Sequence, residues 1–247
     1  MRLLKIKFLL AFTIFYGYSS IRRGFIYVFT YLSIPIAELF LIYIITHGEF
    51  VKFAIVGGLI SGMANNGFSS IGDIVFLRLE SRRQHLLVAT QIGPADYILG
   101  LMLSNLLYSF PGIILYIILA LVYKVLNLVN FIPLLLTMVL LLFATSSIGF
   151  FLASLVPHTR YGWGLAGLLS SILTIIPPVF YPYTILPKTI YLSILPIPTT
   201  AAAIFSQGIT NLVYVSQKML IVSFLVLLIE AIVFFYLSVR FSRWRER

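Results

Sequence analysis

Long apolar stretches separated by short polar segments are the dominant pattern along this chain. A helix that crosses a bilayer needs about 20 predominantly apolar residues. Six stretches reach that length, so the pattern predicts an all-α integral membrane protein with six transmembrane helices. The predicted spans are Phe25–Thr46, Phe53–Ile74, Ile98–Tyr123, Phe131–Val156, Trp163–Phe180 and Met219–Val239.

The N-terminal segment, residues 1–24, contains an apolar run that is too short to cross a membrane. This run is Phe8–Tyr18, and basic residues precede and follow it. Such a segment is typical of a helix that lies in the membrane interface; a seventh, tilted span is the alternative. We therefore expect one transmembrane domain over residues 1–247, with a six-helix region at 25–239 and a basic cytoplasmic tail at 240–247.

The segment between the fifth and sixth spans, Tyr181–Lys218, is apolar but rich in proline. Its prolines are Pro182, Pro187, Pro196 and Pro198. They exclude a continuous spanning helix. Interrupted apolar backbone is tolerated at membrane depth only where protein or water satisfies its polar groups. We therefore expect short re-entrant helices that enter from the outer side, after a fifth span that ends or kinks at Pro177 and Pro178.

The composition supports the bilayer as the solvent: 61% of the residues are hydrophobic, 10% are charged and the mean hydropathy is +1.07. A soluble domain with so little charge could not cover its surface with polar groups. The net charge of +10 does not indicate nucleic-acid binding, because the basic residues lie in short loops and tails between apolar runs. Membrane insertion produces that distribution.

The lysines and arginines fall mostly on one side of the predicted bilayer, the side that holds both termini. Cytoplasmic loops carry an excess of these residues. Both termini are therefore expected to be cytoplasmic, in a multi-pass protein of the plasma membrane. Of the 17 lysines and arginines, those on the opposite side are Lys52, Lys124, Lys188 and Lys218.

One polar stretch, RLESRRQHLLVATQIGPADYILG at residues 78–100, separates the second and third spans on the cytoplasmic side. Gly93 suits a helix cap, Pro94 the first helical position and Asp96 the positive helix end, so the third helix should begin there. Residues 78–91 are long enough for about three to four helical turns. They offer another protein a surface of mixed charge, or simply place arginines against anionic lipid. The candidates are Arg78, Glu80, Arg82, Arg83 and Gln84.

Motifs for chemistry within this chain are missing. The sequence has no GxxxxGK[ST] phosphate loop, no HExxH, and no GxSxG or SxxK. Its three histidines fall in separate loops, and it has no cysteine. We therefore expect no catalytic residue, no metal site and no cofactor in this chain.

Two carboxylates, Glu38 and Glu230, fall inside predicted spans. A charge at the centre of a bilayer costs roughly 2.5–3.5 kcal/mol. Either these groups relay protons or cations, or each is a neutral carboxyl that is hydrogen-bonded to a neighbouring helix. We favour the second interpretation, because the spans contain no lysine or arginine partner.

The second span carries amide and hydroxyl groups on more than one side of the same helix. They belong either to helix packing, which the small residues Gly58 and Gly62 also favour, or to the wall of a translocation path. The candidates are Asn65, Asn66, Ser69 and Ser70.

The order of these features resembles the permease subunit of ABC-2 type exporters. In that family a charged pattern follows the second span, and the positions that match it are Glu80, Leu86, Leu87, Val88, Thr90, Ile92, Tyr97 and Gly100. The family's proline is displaced, because Gln91 stands where it often falls and Pro94 comes three residues later. Ser81 follows Glu80 where the family often has glycine. The outer run Leu186–Phe205 also resembles the family, so the resemblance covers the whole chain.

The resemblance implies partners and a function. It implies that residues 78–91 form a coupling helix that docks on a separate ABC ATP-binding subunit, which would hold ATP and Mg, with the N-terminal interfacial helix alongside. It also implies a second permease chain, identical or related, with the substrate path between the two. The expected function is the membrane-spanning subunit of an ATP-driven exporter of a small amphipathic or lipid-like substrate.

Two rival functions remain open. A gradient-driven transporter or channel would use Glu38 or Glu230. A membrane scaffold or sensor would carry out no transport at all.

Overall fold

The structure, a computed structural model, describes residues 2–18, 22, 25–81 and 83–241, and these form helices and turns without a strand. Helix α1 (Arg2–Thr13) continues into a π-helical turn at Ile14–Tyr18, and a 3-10 turn lies at Tyr183–Ile185. The other helices are α2 (Phe25–Ile45), α3 (Val51–Leu79), α4 (Arg83–Val88), α5 (Pro94–Val122), α6 (Leu128–Leu155), α7 (Thr159–Ile175), α8 (Lys188–Ser193), α9 (Pro198–Ile209) and α10 (Gln217–Phe241).

A helix covers each of the six stretches that the hydrophobic pattern selects. Among the described residues, α5, α6 and α10 are long and apolar enough to cross a membrane. Helix α7 ends at Ile175, ahead of Pro177 and Pro178, which confirms the end that those prolines predict.

The polar stretch that follows the second predicted span differs from the expectation. Helix α3 continues to Leu79, past the predicted end at Ile74, and takes up Arg78. The separate helix α4 has six residues. The described part of residues 78–91 therefore comprises the end of α3 and the short helix α4, so one helix over the whole stretch is not formed.

Helix α3 occupies the centre of the bundle, where α2, α5, α6, α7 and α9 pack around it. Glycines allow this close approach. A Cβ on Gly58 would overlap the Tyr116 ring of α5, and a Cβ on Gly67 would overlap Thr145 of α6. Small residues at such contacts let membrane helices approach closely, so these glycines place α3 in the interior.

Local side-chain chemistry fixes where two of the long helices begin. Helix α5 begins at Pro94, and the Gly93 amide donates a hydrogen bond of 3.1 Å to Oδ2 of Asp96, which confirms the predicted start. At the start of α6, Oδ1 of Asn127 accepts from the amide of Asn130 at 3.0 Å. Oδ1 of Asn130 accepts from the Asn127 amide at 2.7 Å. Each pair satisfies amides that a helix end leaves without partners.

Helix α1 packs along the first half of α5. The rings of Phe12 and Tyr97 meet edge to face at 5.7 Å between centroids. Ile6 and Leu10 of α1 and Ile14 of the turn that follows are exposed apolar residues. One side of this helix therefore contacts the protein, and another presents hydrocarbon outward.

The interrupted segment between α7 and α10 folds into the bundle. Helix α9 packs against α3, α6 and α10, and Ala201–Ile204 are buried. The side chain of Gln207 ties the proline-rich turn to α9. Its Nε2 donates to the carbonyls of Pro178 (2.7 Å) and Tyr181 (2.9 Å), and its Oε1 accepts from the Tyr183 amide (3.1 Å). Backbone groups that lie outside regular helices are thus satisfied within the protein.

Candidate functional site

Helix α3 is buried on every side except one. Within residues 53–78, the side chains that are not buried are Asn65, Ser69, Asp73 and Phe76. Their spacing of four, four and three residues places them on one face of the helix. We call these four residues the α3 stripe. Glu80, which is exposed just beyond the helix, continues the same face toward α4.

The α3 stripe is mainly polar, although it is the one face that the protomer leaves uncovered. Lipid hydrocarbon offers no hydrogen-bond partners to amide, hydroxyl and carboxylate groups. Polar side chains at membrane depth normally face protein or a water-filled cavity. The stripe is therefore suited to water, to a substrate or to another protein chain rather than to acyl chains.

Two of the predicted path residues, Asn65 and Ser69, lie on the stripe. Oδ1 of Asn65 accepts a hydrogen bond of 2.7 Å from the hydroxyl of Ser170 in α7. The Ser69 hydroxyl donates to the carbonyl of Asn66 at 2.9 Å. Both side chains are half-buried, so each retains a surface that a solute could contact.

The other two predicted path residues, Asn66 and Ser70, lie inside the protomer. Nδ2 of Asn66 donates to the Asn105 carbonyl at 2.6 Å and to the Ser109 hydroxyl, both on α5. The Ser70 hydroxyl donates to the Gly67 carbonyl at 2.5 Å. The side of α3 that carries these two residues serves helix packing.

Asp73 is a candidate that the sequence interpretation missed. Its side chain is exposed, yet protein atoms surround it closely, so it lies in a recess. The adjacent Gly72 packs against the Trp163 ring of α7. The sequence could have identified this residue, because Asp73 is a carboxylate within the predicted span Phe53–Ile74. It follows Ser69 by four residues, which places both on one helix face.

Arg78, one of the predicted docking residues, points into the protomer and is 5% exposed. Its Nη1 donates to the carbonyl of Ser154 at 3.1 Å, and its Nη2 donates to the carbonyl of Val156. These carbonyls end α6, where a cation is favourable because the helix dipole leaves partial negative charge. Arg78 therefore fastens the end of α3 to the end of α6.

The remaining docking candidates occupy different environments. Glu80 is exposed, and Gln84 is buried at 6% exposure. Arg82 and the Arg83 side chain lie outside the described residues. Among the described candidates, Glu80 is the residue that presents charge to a partner.

Glu38 and Glu230, the two carboxylates that the sequence interpretation singled out, lie in separate parts of the bundle. Oε2 of Glu38 accepts a hydrogen bond of 3.0 Å from the hydroxyl of Ser61, which joins α2 to α3. Glu230 lies on the buried face of α10, and from that face Ser238 donates to the Ser147 carbonyl of α6 at 2.6 Å. These contacts do not bring Glu38 and Glu230 together. In the described part of the chain, no three His, Asp or Glu side chains are placed to hold a metal ion.

In a membrane protein, polar side chains on a helix that protein otherwise encloses mark a candidate path for water or a solute. Residues 6–204 match the model of the ABC-2 type transporter family. The chain therefore belongs to the ABC-2 type transporter family and is a membrane permease of ABC-type transport. Family membership implies association with an ABC ATP-binding subunit. Comparisons with curated proteins and with solved structures found no match.

The position of Arg78 predicts a structural role that Glu80 does not share. Arg78→Met keeps an apolar stem but removes the guanidinium, so two carbonyls at the end of α6 lose charge-assisted hydrogen bonds. Each such bond typically contributes about 1.5–3 kcal/mol. We expect Arg78→Met to lower the thermal midpoint in detergent, followed by circular dichroism at 222 nm. Glu80→Gln is the matched control and should melt like the wild-type chain; equal midpoints for both variants would contradict the anchoring role.

Proposed function

We propose that this chain is the membrane-spanning half of an ATP-driven exporter, and that the α3 stripe lines the path of its substrate. One observation carries the proposal: on a helix that five neighbours enclose, the single uncovered face is polar. Family membership over residues 6–204 supports transport by an ABC-type complex.

The proposed layout has six spans, formed by α2, α3, α5, α6, α7 and α10, with both termini in the cytoplasm of a plasma-membrane protein. The apolar composition of α5, α6 and α10 supports their assignment. Helix α3 tolerates more polar residues because protein surrounds it. Helices α8 and α9 are the proposed re-entrant elements, and the hydrogen bonds of Gln207 supply the internal partners that such elements require. We place helix α1 and the turn that ends at Tyr18 in the inner interface.

In this proposal, the segment between α3 and α5 receives the movement of the ATP-binding subunit during ATP hydrolysis. We place the docking surface for the ATP-binding subunit, which holds ATP and Mg, on Glu80, Arg82 and Arg83. Helix α3 runs without interruption from the stripe to Glu80, so a displacement of the docked segment moves the stripe with it. The Arg78 contacts with α6 make these two helices move together.

A second permease chain, identical or related, faces the stripe and closes the path. Beside the stripe, α7 leaves Gly164 and Gly167 uncovered, with no atom within 4 Å of a Cβ built on either residue. Small uncovered residues allow another helix to approach closely. The space between two such surfaces suits a small amphipathic or lipid-like substrate, because polar stripe residues and apolar side chains border it together.

A gradient-driven transporter is the second candidate. The buried Oε2 of Glu230 has no hydrogen-bond partner among the described residues, which is a feature of proton-carrying carboxyls. If Glu230 or Glu38 carried protons for transport, Glu230→Gln or Glu38→Gln would abolish pH-driven uptake in vesicles without ATP. The ATP-driven proposal requires that such uptake is absent in the wild-type chain.

The six-span layout predicts the side from which three loops can be labelled. The chain has no cysteine, so single replacements Glu49→Cys, Glu80→Cys and Tyr214→Cys can each be labelled with a membrane-impermeant maleimide. Cysteines 49 and 214 should react in intact cells, and cysteine 80 only after the cytoplasmic face is exposed. Labelling of 80 and 214 from the same side would contradict the layout.

The docking surface predicts a loss of coupling upon charge reversal. In lipid nanodiscs, the wild-type chain should bind the ABC ATP-binding protein encoded beside its gene and change the rate of ATP hydrolysis. Arg82→Glu combined with Arg83→Glu should remove both effects, because the docking surface changes sign. Lys188→Glu with Lys218→Glu, on the proposed outer side, is the matched control and should retain them. If the double reversal at Arg82 and Arg83 still binds the ATP-binding protein and still changes its rate of hydrolysis, the docking surface does not lie at these residues.

A further inference from the structure

The Asp73 carboxylate lies exposed in its recess without an ion pair or hydrogen bond to another described residue. Burying or partly burying an unpaired carboxylate at membrane depth is unfavourable. The nearest described guanidinium along the chain, that of Arg78, is occupied by the carbonyls at the end of α6. Arg160 is exposed on α7 and forms no ion pair with Asp73. The recess therefore holds a negative group that no described residue neutralises.

Exposed aromatic residues of α3 and α7 lie close to the backbone that carries Asp73. The Trp163 ring packs directly on Gly72, the residue before Asp73, and Trp163 is 48% exposed. Phe76, one helical turn along the stripe, is 42% exposed. Tyr97 of α5 is buried at 1% exposure, so the exposed rings are those of Trp163 and Phe76. An exposed acid and two exposed aromatic side chains thus lie on neighbouring positions of α3 and α7.

Acid and aromatic groups together recognise one class of solute. Cations are attracted to the faces of Trp, Tyr and Phe, most strongly when they are partly desolvated. A carboxylate in a recess of low dielectric adds attraction that bulk water would weaken. An anion would be repelled by Asp73, and a neutral solute would leave the carboxylate unpaired.

We propose that this recess binds the cationic head of an amphipathic molecule, so that the substrate of the permease is a lipophilic cation. The inference rests on the proposed transport path and specifies its cargo. Asp73 neutralises the positive charge, while Trp163 and Phe76 contact the groups that surround it. Asn65 and Ser69 lie further along the same face and continue the polar surface toward the opposite end of the helix.

The chain supplies its own probe for this site. It contains two tryptophans, Trp163 and Trp244, so Trp244→Phe leaves Trp163 as the single emitting indole. The full-length protein is reconstituted into phosphatidylcholine vesicles, and emission is followed during titration with tetraphenylphosphonium. Tetraphenylborate has nearly the same shape with the opposite charge and is the matched ligand. Protein-free vesicles correct for partition into lipid.

We expect tetraphenylphosphonium to change the Trp163 emission saturably and tetraphenylborate to leave it unchanged. Asp73→Asn should weaken phosphonium binding about tenfold, because the cation loses the Coulomb attraction of the carboxylate. Asp73→Glu, which keeps the charge, should restore most of the affinity. Glu49→Gln removes an exposed carboxylate in the loop after α2 and should bind like the parent.

Three results would overturn the inference: equal phosphonium affinity in the parent and Asp73→Asn, equal response to the two ions, or an Asp73→Asn effect confined to the oligomeric state. The last result would make the stripe an interface between chains. If Asp73→Asn does not fold, Phe76→Leu provides the test, because it keeps apolar contact but removes the π face and should also weaken phosphonium binding. Unchanged binding in that variant would count against the site.

These results are separable from the proposed function. If the complex couples ATP hydrolysis but Asp73→Asn leaves phosphonium binding unchanged, the exporter function stands and the cationic substrate is rejected. Phosphonium binding that depends on Asp73, in a chain that no ATP-binding subunit recognises, would retain the site and reject the ATP-driven function.

Discussion

The rest of the bundle depends on how closely its helices approach α3. At Gly67 and Gly72, the side chains of neighbouring helices occupy the space that a Cβ would need. This contact lets several helices enclose a segment whose amide and hydroxyl groups would be costly in lipid. The hydrogen bonds of Asn66 to α5 and of Asn65 to α7 are consequences of the same approach. Because the enclosure is incomplete on one face, the same constraint also creates the α3 stripe.

The C-terminal end of α3 carries two residues that relate this enclosed helix to other parts of the protein. Arg78 links it to the end of α6, while Glu80 begins the segment that we assign to the ATP-binding partner. A rigid helix that is tied at one point and exposed just beyond it can transmit displacement without a separate hinge. Gln207 has a comparable role on the other side, because it holds the interrupted segment after α7 against α9. Both side chains satisfy backbone carbonyls that helix ends or turns leave open.

Much of the fold was predictable because its signals are local. The length of each apolar stretch located the six helices, and the sequence Gly93-Pro94-Ala95-Asp96 located the start of α5. The prolines after Ile175 located the end of α7. These features depend on neighbours in sequence. Hydrophobic length and helix-end chemistry were therefore sufficient to predict them.

The environments of the site residues were not predictable in the same way, because they depend on distant partners. Arg78 was expected on a docking surface, but its guanidinium contacts carbonyls that lie 76 and 78 residues further along the chain. Asn65 and Asn66 are neighbours in sequence, yet Asn65 is hydrogen-bonded to α7 and Asn66 to α5. Asp73 could have been found, because it repeats the four-residue spacing from Asn65 through Ser69. It was missed because it lay at the edge of an otherwise apolar run.

The central claim is that the α3 stripe lines a water-filled path while the other sides of α3 are sealed. The most direct test replaces single residues by cysteine in this cysteine-free chain. In the complex with its ATP-binding subunit, each variant is treated with a charged, water-soluble thiol reagent that reacts with thiolates. Cysteines at Asn65, Ser69 and Asp73 should react, and cysteines at Met63, Asn66 and Ser70 should not. Failure of all six to react, or reaction at the three buried positions, would contradict the account.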